Sequence, residues 1–409
     1  IAREAVDFFQ RLLTAEEVGG IDDLLIDGPE LFTVDQNVEL LREVTMEEVK
    51  RVVFELDKDN APGSDGYIGA FFRHCWDTVA FDAWAAARDF MAGTPIPKDI
   101  ASTLIVLLPK KPNPSTFADF RPISLCTFVN KIFMKVLANR LRAIIPSIIS
   151  QEQSAFCQGR DIAKNVLLAQ EMVVSINWKA QGHNCIFKLG MMKAFDRVSW
   201  GFLRRLLQKF GFDYRFILLI LNNLSQNWFS VLVNGRSRGF FQALHRIKQG
   251  DPLSPILFIL ASEALSRGLN ALVADGSVAP YAIPRGCISI THLAFTDGIM
   301  IFARGDRRSV SNLLRFLTLY QNGEGQRINK QKSFFIVSKR CGAGQIRQIQ
   351  HLTGFRHGSF PFPYLGCNIY AGRRKKEFFQ FLIEKFVAKL AGWQKKLLTQ
   401  GGCSCSVRH

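Results

Sequence analysis

LAFTDGIMIF, residues 293–302, places a single carboxylate, Asp297, between two short apolar runs. An Asp-Gly pair flanked by alternating apolar residues predicts a tight β-hairpin, because both residue types tolerate positive φ. On this interpretation Asp297 and Gly298 only form the turn. Whether Asp297 also has a chemical role depends on the other motifs of the chain.

The 409-residue chain is strongly basic. It contains 52 Lys and Arg against 35 Asp and Glu, which gives a net charge of +17. This balance favours a polyanionic partner, usually nucleic acid, with an anionic membrane surface as the alternative. The basic residues are scattered along the chain, and no apolar run approaches 18 residues. We therefore expect no transmembrane helix and no membrane partner.

The cysteines predict a reducing environment. All nine are dispersed except Cys403 and Cys405, and neither they nor the seven histidines have metal-ligand spacing. We therefore expect no structural zinc and an intracellular location, nuclear or cytoplasmic. The first residue is Ile1 and not Met, so we expect a fragment of a longer protein.

Periodicity predicts an α+β fold with interleaved helices and strands. The predicted helices follow the capping residues Thr45 and Ser254 and cover residues near 1–13, 67–78, 132–144, 161–177, 200–224, 307–321 and 373–398. The predicted strands cover 103–111, 184–190 and 327–337, with hairpins over 229–241 and 293–302.

Three local patterns are specific enough to test. Asn234-Gly235 predicts the turn of a hairpin. FRPISL, residues 120–125, predicts a loop. In QGDPLSP we expect Ser254 as the N-cap and Pro255 as the first residue of a long apolar helix.

Several motifs follow one another in a fixed order. FKLGMMKAFDRVSW (187–200), KQGDPLSPILF (248–258), AFTDGIMIF (294–302) and INKQKS (328–333) resemble the palm motifs of a reverse transcriptase. APGSDG (61–66), LLPKK (107–111), FRPISL, ANRL (138–141), and QSAF with GR (153–160) resemble its finger region, and PYLG (363–366) its primer grip. The whole set resembles the reverse transcriptases of plant LINE-type (non-LTR) retrotransposons.

The resemblance implies a right-hand polymerase architecture, with fingers, a palm of antiparallel sheet and helices, and the start of a helical thumb. It divides the chain into an N-terminal extension with the first part of the fingers (1–100), a fingers-palm domain (101–370) and a truncated thumb (371–409). The family carries further segments on both sides. The final GGCSCSVRH departs from the family's continuation, as expected of a frameshift or an arbitrary stop.

The chemistry of such a domain requires clustered acids. Two Mg²⁺ ions roughly 3.5–4 Å apart clamp the attacking and leaving oxygens of nucleotidyl transfer. At about 4 Å they repel by on the order of 15–20 kcal/mol even at an effective dielectric constant near 20. Only anions offset this repulsion, namely the triphosphate and protein carboxylates on neighbouring strands.

Two of the three acids of the family are missing. The family's first palm strand reads Lys-Leu-Asp and its hairpin reads Phe-Ala-Asp-Asp, whereas this chain has Gly190 and Gly298 at two of the aspartate positions. Asp297 remains as the catalytic and metal-binding acid, and Thr296 replaces the usual alanine. Asp196 lies roughly 20 Å further along an extended chain than Gly190, so we expect it to serve packing or capping.

The resemblance also implies substrate-binding roles, residue by residue. Lys110 and Arg121 would face the incoming triphosphate, Phe195 would exclude a ribose 2′-hydroxyl, and Gln249 and Gly250 would contact nucleotide and template. Lys332 would protonate the leaving pyrophosphate, and Tyr364, Leu365 and Gly366 would form the primer grip. The alternatives are solvated surface charge for the basic residues and core packing for Phe195. Arg246 falls where the family usually has glycine.

The predicted function is RNA-directed DNA synthesis on an RNA template and a DNA primer, with Mg²⁺ and deoxynucleoside triphosphates. Because two acids are lost, we expect this chain to be inactive or very weakly active. One alternative is a nucleic-acid-binding remnant of a mobile element without catalysis, and another is a relic that folds poorly. The family works on chromosomal DNA, which implies the nucleus. The oligomeric state is left open.

Overall fold

The structure is a computed structural model that describes residues 1–14, 31–192, 194–373 and 375–397. Cys403, Cys405 and the segment GGCSCSVRH lie outside the described residues. The α-helices are α1 (Ala2–Thr14), α2 (Val34–Leu41), α3 (Met46–Glu55), α4 (Gly69–His74), α5 (Trp76–Met91), α6 (Lys98–Ala101), α7 (Phe128–Ile148), α8 (Ile162–Val174), α9 (Trp200–Lys209), α10 (Tyr214–Ser225), α11 (Ser254–Ala274), α12 (Arg307–Glu324), α13 (Ala343–Thr353) and α14 (Gln380–Leu397). The strands are β1 (Ser102–Pro109), β2 (Phe120–Cys126), β3 (Asn184–Gly190), β4 (Trp228–Val233), β5 (Arg236–Gln242), β6 (His292–Phe295), β7 (Gly298–Arg304), β8 (Phe334–Val337), β9 (Arg356–His357), β10 (Phe362–Tyr364) and β11 (Cys367–Ile369).

A five-stranded sheet in the order β6-β7-β3-β8-β9 carries the site. Its pairs are antiparallel except for β8 and β9. The central strand, β3, is an apolar run buried on both faces. Because side chains alternate along a strand, Phe187 and Leu189 enter the core built with α9, α11 and α12, whereas Ile186 enters the core built with α8 and the β10–β11 hairpin.

A second sheet has the strand order β2-β1-β4-β5. The N-terminal helix α1 covers one of its faces, where Ala5, Phe9 and Leu13 are buried against Ile105 and Phe229. The predicted amphipathic helix at the N-terminus is therefore confirmed. Its apolar stripe has the sheet as its partner, and most of its stability comes from this packing.

A buried ion pair joins α2 and α3 to α7. Arg140 donates to the two carboxylate oxygens of Glu48 at 3.0 and 2.8 Å, and to the carbonyl oxygens of Leu40 and Arg42 at 2.9 and 2.7 Å. Arg140 is the arginine of the ANRL motif. The arginine of this motif therefore stabilises the packing of α2 and α3 against α7.

Helix α11 is the one described helix that is long and apolar enough to cross a membrane, with 67% of its most apolar window buried inside the protein. We expected no such segment, because no apolar run in the sequence approaches 18 residues. Residues such as Leu257 and Leu260 pack in the main core. The helix is therefore buried to the extent typical of a core helix in a globular protein.

Two local predictions are wrong. FRPISL forms strand β2, which pairs antiparallel with β1 at the edge of its sheet, and Pro122 pairs with Leu107. An edge strand accepts a proline, because the missing N–H is not needed by a neighbour. Ser254 is the first residue of α11 and not its N-cap; the N-cap is Leu253, and Pro255 lies in the first turn.

The opening hairpin is confirmed, but its turn lies one residue earlier than predicted. Phe295 pairs with Gly298, so the two turn residues are Thr296 and Asp297. Thr296 has φ +51°, a left-handed conformation that is unfavourable for a β-branched residue.

The turn of the β4–β5 hairpin agrees with its prediction. Asn234 and Gly235 have φ values of +50° and +73°. The start of the last helix differs from its prediction. Helix α14 begins at Gln380, after a short 3-10 helix, and not at residue 373.

Candidate functional site

The end of β3 lies beside the tip of the β6–β7 hairpin. Gly190, the last residue of β3, pairs with Gly298, the first residue of β7. The backbone N–H of Met191 donates to the carbonyl oxygen of Asp297 at 3.1 Å. Positions 190, 297 and 298 are therefore neighbours, as a carboxylate cluster at this place requires.

Both glycines have room for a side chain. A Cβ on Gly190 would lie 3.4 Å from the Cβ of Lys332, and a Cβ on Gly298 would lie 3.6 Å from the carbonyl oxygen of Phe295. Neither glycine has a positive φ. The backbone therefore does not require glycine at either position, and an aspartate fits both.

Asp297 is exposed at the hairpin tip. Its Oδ1 accepts a hydrogen bond from the hydroxyl of Thr296 at 3.2 Å. Because the rest of the carboxylate faces solvent, it is available to a ligand.

The hairpin tip opens into a cleft of about 680 Å³, which is within the usual range for small-molecule sites. Seven of the residues that the sequence analysis singled out line this one cleft: Lys110, Arg121, Phe195, Gln249, Gly250, Asp297 and Lys332. They come from both sheets and from the segments that follow β3 and precede α11. Met191, Met192 and Asn329 also line the cleft and were not predicted. Asn329 is held there by its backbone N–H, which donates to the carbonyl oxygen of Gly190 at 2.8 Å.

Lys110, Arg121 and Lys332 make no ion pair within the part of the chain that the structure describes. Among the described residues, the Nζ of Lys110 donates only to the carbonyl oxygen of Ala118, at 2.7 Å. Partial burial lowers the pKa of Lys110; Asp196 counteracts this shift, and the neighbouring Arg121 and Lys332 add to it. The three cations are thus close enough to repel one another and to favour a shared anion.

Phe195 and the QG turn form another part of the lining. The ring of Phe195 stacks on Phe258 at 4.6 Å with an interplanar angle of 17°, so it both packs in the core and borders the cleft. Gly250 has φ +109°, and a Cβ there would lie 2.9 Å from the carbonyl oxygen of Ser124. Glycine is therefore required at this turn, which brings the backbone against β2.

Asp196 and Arg246 form a buried pair below the cleft. The Nε of Arg246 lies 3.6 Å from Oδ1 of Asp196, and the side chains are 1% and 4% exposed. Gln249 donates to the same oxygen at 3.4 Å. Asp196 was expected to pack or cap; it lines the cleft, but its carboxylate is already engaged. The sequence did not predict the pair, and its only signal was an arginine where the family has glycine.

The predicted primer-grip residues lie apart from the cleft. Leu365 and Gly366, with φ values of +50° and +84°, form the turn between β10 and β11. Tyr364 is buried in the core beneath α8, and this burial raises the pKa of its hydroxyl.

A second groove of about 520 Å³ runs beside β10 and shares Lys332 with the cleft. Lys188 lies in this groove and donates to the carbonyl oxygen of Pro363 at 2.9 Å. Arg356 is exposed there and lies over the ring of Phe334, 5.4 Å from its centroid. The groove thus combines cations with aromatic rings along the primer-grip hairpin.

The residues of the cleft do not fit a pair of metal ions. No group of three or more His, Cys, Asp or Glu in the described residues is arranged to hold a metal. Magnesium sites typically combine one or two carboxylates with substrate phosphates, so Asp297 can hold one ion together with a triphosphate. The ligands for a second ion are missing at Gly190 and Gly298.

A basic cleft between two sheets, with a carboxylate at a hairpin tip, is the arrangement expected of nucleic-acid polymerases with a palm and fingers. The sheet that carries Asp297 corresponds to the palm and the sheet that carries Arg121 to the fingers. More specifically, the family model described as "Reverse transcriptase (RNA-dependent DNA polymerase)" matches residues 108–369, more than half of the chain. The chain belongs to this family.

Several of its relatives are proteins of transposable elements. The chain is 25% identical to the "Transposon TX1 uncharacterized 149 kDa protein" of Xenopus laevis over 339 residues, 81% of this chain and 25% of that protein. It is 28% identical to the Pol polyprotein of the R2DM element of Drosophila melanogaster over 294 residues, 68% of this chain and 26% of that protein. The chain thus spans about a quarter of the length of these relatives. Over 66 residues, 16% of this chain and 54% of the relative, it is 35% identical to the "Uncharacterized mitochondrial protein AtMg01250" of Arabidopsis thaliana.

Proposed function

We propose that this chain is the reverse transcriptase domain of a plant LINE-type retrotransposon in which RNA-directed DNA synthesis is absent or very weak. The observation that carries the proposal is the pairing of Gly190 with Gly298 beside Asp297. The family has three carboxylates at this place, which offset the repulsion between two cations, and this chain has one of them.

The remaining cleft residues suit the binding of a deoxynucleoside triphosphate. The exposed guanidinium of Arg121 offers a planar fork to a phosphate, and Lys110 and Lys332 add point charges. Phe195 would pack against the sugar and exclude a 2′-hydroxyl, and Gln249 and Gly250 would bring backbone close to the nucleotide. Bound Mg²⁺ supplies charge neutralisation and in-line geometry in this chemistry.

RNA template and DNA primer are the proposed macromolecular substrates. Tyr364, Leu365 and Gly366 would position the primer strand, and the groove that shares Lys332 with the cleft is lined by Phe362 and Pro363, directly before them in the chain. In a productive complex Lys332 would donate a proton to the leaving pyrophosphate.

A primer-extension assay on an RNA template, with Mg²⁺ or Mn²⁺, tests the proposal. We expect no extension, or a trace, for the chain as written. The double variant Gly190→Asp/Gly298→Asp should raise extension on the order of 100-fold or more, because it restores the two missing ligands. Robust extension by the unaltered chain refutes the loss of catalysis.

Two controls sharpen this assay. Gly344→Asp adds an acid at a glycine with nothing within 4 Å of its Cβ position and away from the cleft lining, and should not raise extension. Asp297→Asn in the double-variant background should abolish the restored activity, since it again removes a ligand.

A second candidate function is a nucleic-acid-binding module without chemistry. The cations of the cleft and of the groove favour it, because they are present while two of the three acids are replaced by glycine. The two candidates are distinguished by whether the double variant extends a primer.

We also propose an intracellular, reducing location, nuclear or cytoplasmic, and the domain limits 1–100, 101–370 and 371–409. The seven cysteines of the described residues are all free thiols, which supports a reducing compartment. The similarity to an Arabidopsis protein supports the plant origin.

A further inference from the structure

The charge balance of the cleft is unusual for a site that handles a metal-bound triphosphate. The unpaired cations of its described lining are Lys110, Arg121 and Lys332. Against these three stands one exposed carboxylate, that of Asp297. The excess of positive charge is open to solvent and faces the space that a ligand would occupy.

The other two charges in the lining are already compensated. Lys248 is buried and lies 3.1 Å from the carboxylate of Asp251. Asp196 is buried beside Arg246. Since each has a partner of opposite sign, neither changes the balance of three cations against one carboxylate.

Aspartates at positions 190 and 298 would cancel this excess. The hairpin tip and the adjoining end of β3 would then carry three carboxylates against the three cations, and an aspartate at 190 would start from a Cβ only 3.4 Å from the Cβ of Lys332. In such a cleft the carboxylates repel a triphosphate until a divalent cation neutralises them. With glycine at both positions, that repulsion is absent.

We infer that this cleft binds the polyphosphate group of a nucleoside triphosphate directly, through Lys110, Arg121 and Lys332, without a divalent cation. The inference rests on the proposed function, because it places the nucleotide in the same cleft. Charge-assisted hydrogen bonds from a guanidinium and two ammonium groups are the interactions that hold phosphate oxygens in such sites.

Calorimetric titration of the full chain with deoxyadenosine triphosphate, in EDTA and then in excess Mg²⁺, tests this inference. We expect binding in EDTA, and a dissociation constant in Mg²⁺ that is no more than about threefold tighter. Tripolyphosphate should also bind in EDTA, because the cations contact the phosphates. Binding of deoxyadenosine triphosphate that is detectable only in Mg²⁺ overturns the inference and leaves the proposed nucleotide site intact. Absence of binding in both conditions overturns the nucleotide site as well.

Substitutions test which residues are responsible for nucleotide binding without a divalent cation. Gly190→Asp/Gly298→Asp should weaken binding in EDTA by about tenfold or more, and Mg²⁺ should restore it. Arg121→Ala should weaken binding in EDTA by a similar factor, whereas Lys339→Ala, an exposed lysine outside the cleft lining, should not. If the double variant binds in EDTA as tightly as the unaltered chain, the lost acids are not the cause and the inference fails. Circular dichroism of each variant confirms that the comparison is made between folded proteins.

Discussion

Arg246 combines a backbone conformation that suits glycine with a charge that needs a buried partner. Its φ is +101°, and its guanidinium lies 3.6 Å from the carboxylate of Asp196. A non-glycine residue in such a conformation costs on the order of 1–3 kcal/mol, whereas removing one partner of a buried ion pair costs about 3–5 kcal/mol. The loss of the charge should therefore outweigh the relief of strain.

Two substitutions separate these effects. Arg246→Ala should lower the free energy of unfolding by about 3–5 kcal/mol, because it leaves the buried Asp196 without its ion-pair partner. Arg246→Gly should be about 1 kcal/mol less destabilising than Arg246→Ala, because only glycine relieves the positive φ. Urea denaturation with matched slopes measures both values. Equal stability of the two variants would show that the backbone at this position is not strained.

At the scale of the element, the palm sheet shows what sequence patterns can predict. The strand over 184–190 and the hairpin over 293–302 followed from alternating or continuous apolar residues. The turn did not, because Asp-Gly suggested residues 297–298 and the pairing of Phe295 with Gly298 places the turn at Thr296 and Asp297. Tertiary pairing thus overrides the local turn preference and leaves Gly298 inside the sheet beside Gly190.

The candidate site also contains features that sequence motifs predict and features that only tertiary packing determines. Motif order predicted the residues that line the cleft, because short segments of fixed type carry the charges and glycines. The Asp196–Arg246 pair was not predictable, because its partners are 50 positions apart in the chain and meet only through packing. Strand β2 was wrongly predicted as a loop because it contains a proline. Its position at the edge of the sheet, which allows a proline in a strand, is also determined by tertiary packing.

The ion pair between Arg140 and Glu48 holds two elements, α3 and α7, to each other. Arg140→Ala should lower the free energy of unfolding by about 2–3 kcal/mol, because it leaves Oε2 of Glu48 and two carbonyl oxygens without their donor, while Arg42 still donates to Oε1 of Glu48 at 3.1 Å. Arg142→Ala is the matched control, since Arg142 is exposed on the same helix. Hydrogen exchange should accelerate in α2 and α3 more than in the palm sheet. Equal exchange throughout would mean that the N-terminal helices do not depend on this pair.

At the scale of the whole molecule, the position of the cations shows where a chain with a net charge of +17 can bind a polyanion. Arg121 and Lys332 line the cleft, Lys188 and Arg356 line the adjoining groove, and Lys332 belongs to both. These cations therefore line two adjoining cavities that meet at Lys332. Bulk charge alone suggested a polyanionic partner, and the structure places cations in two adjoining cavities, where we expect a phosphate backbone to bind.

The salt dependence of nucleic-acid binding tests this expectation. We expect the logarithm of the affinity for an RNA–DNA primer–template to fall steeply with the logarithm of the salt concentration, by about 0.7–0.9 for each neutralised phosphate. Arg356→Ala should reduce the magnitude of the slope by about that amount, since it removes one exposed cation of the groove, and Lys339→Ala should leave the slope unchanged. The double variant Gly190→Asp/Gly298→Asp should retain most of the slope, because those positions lie at the hairpin tip and not along the groove. A shallow slope, or one that Arg356→Ala does not change, would place the nucleic acid on another surface, and binding would then not depend on the groove beside the primer-grip hairpin.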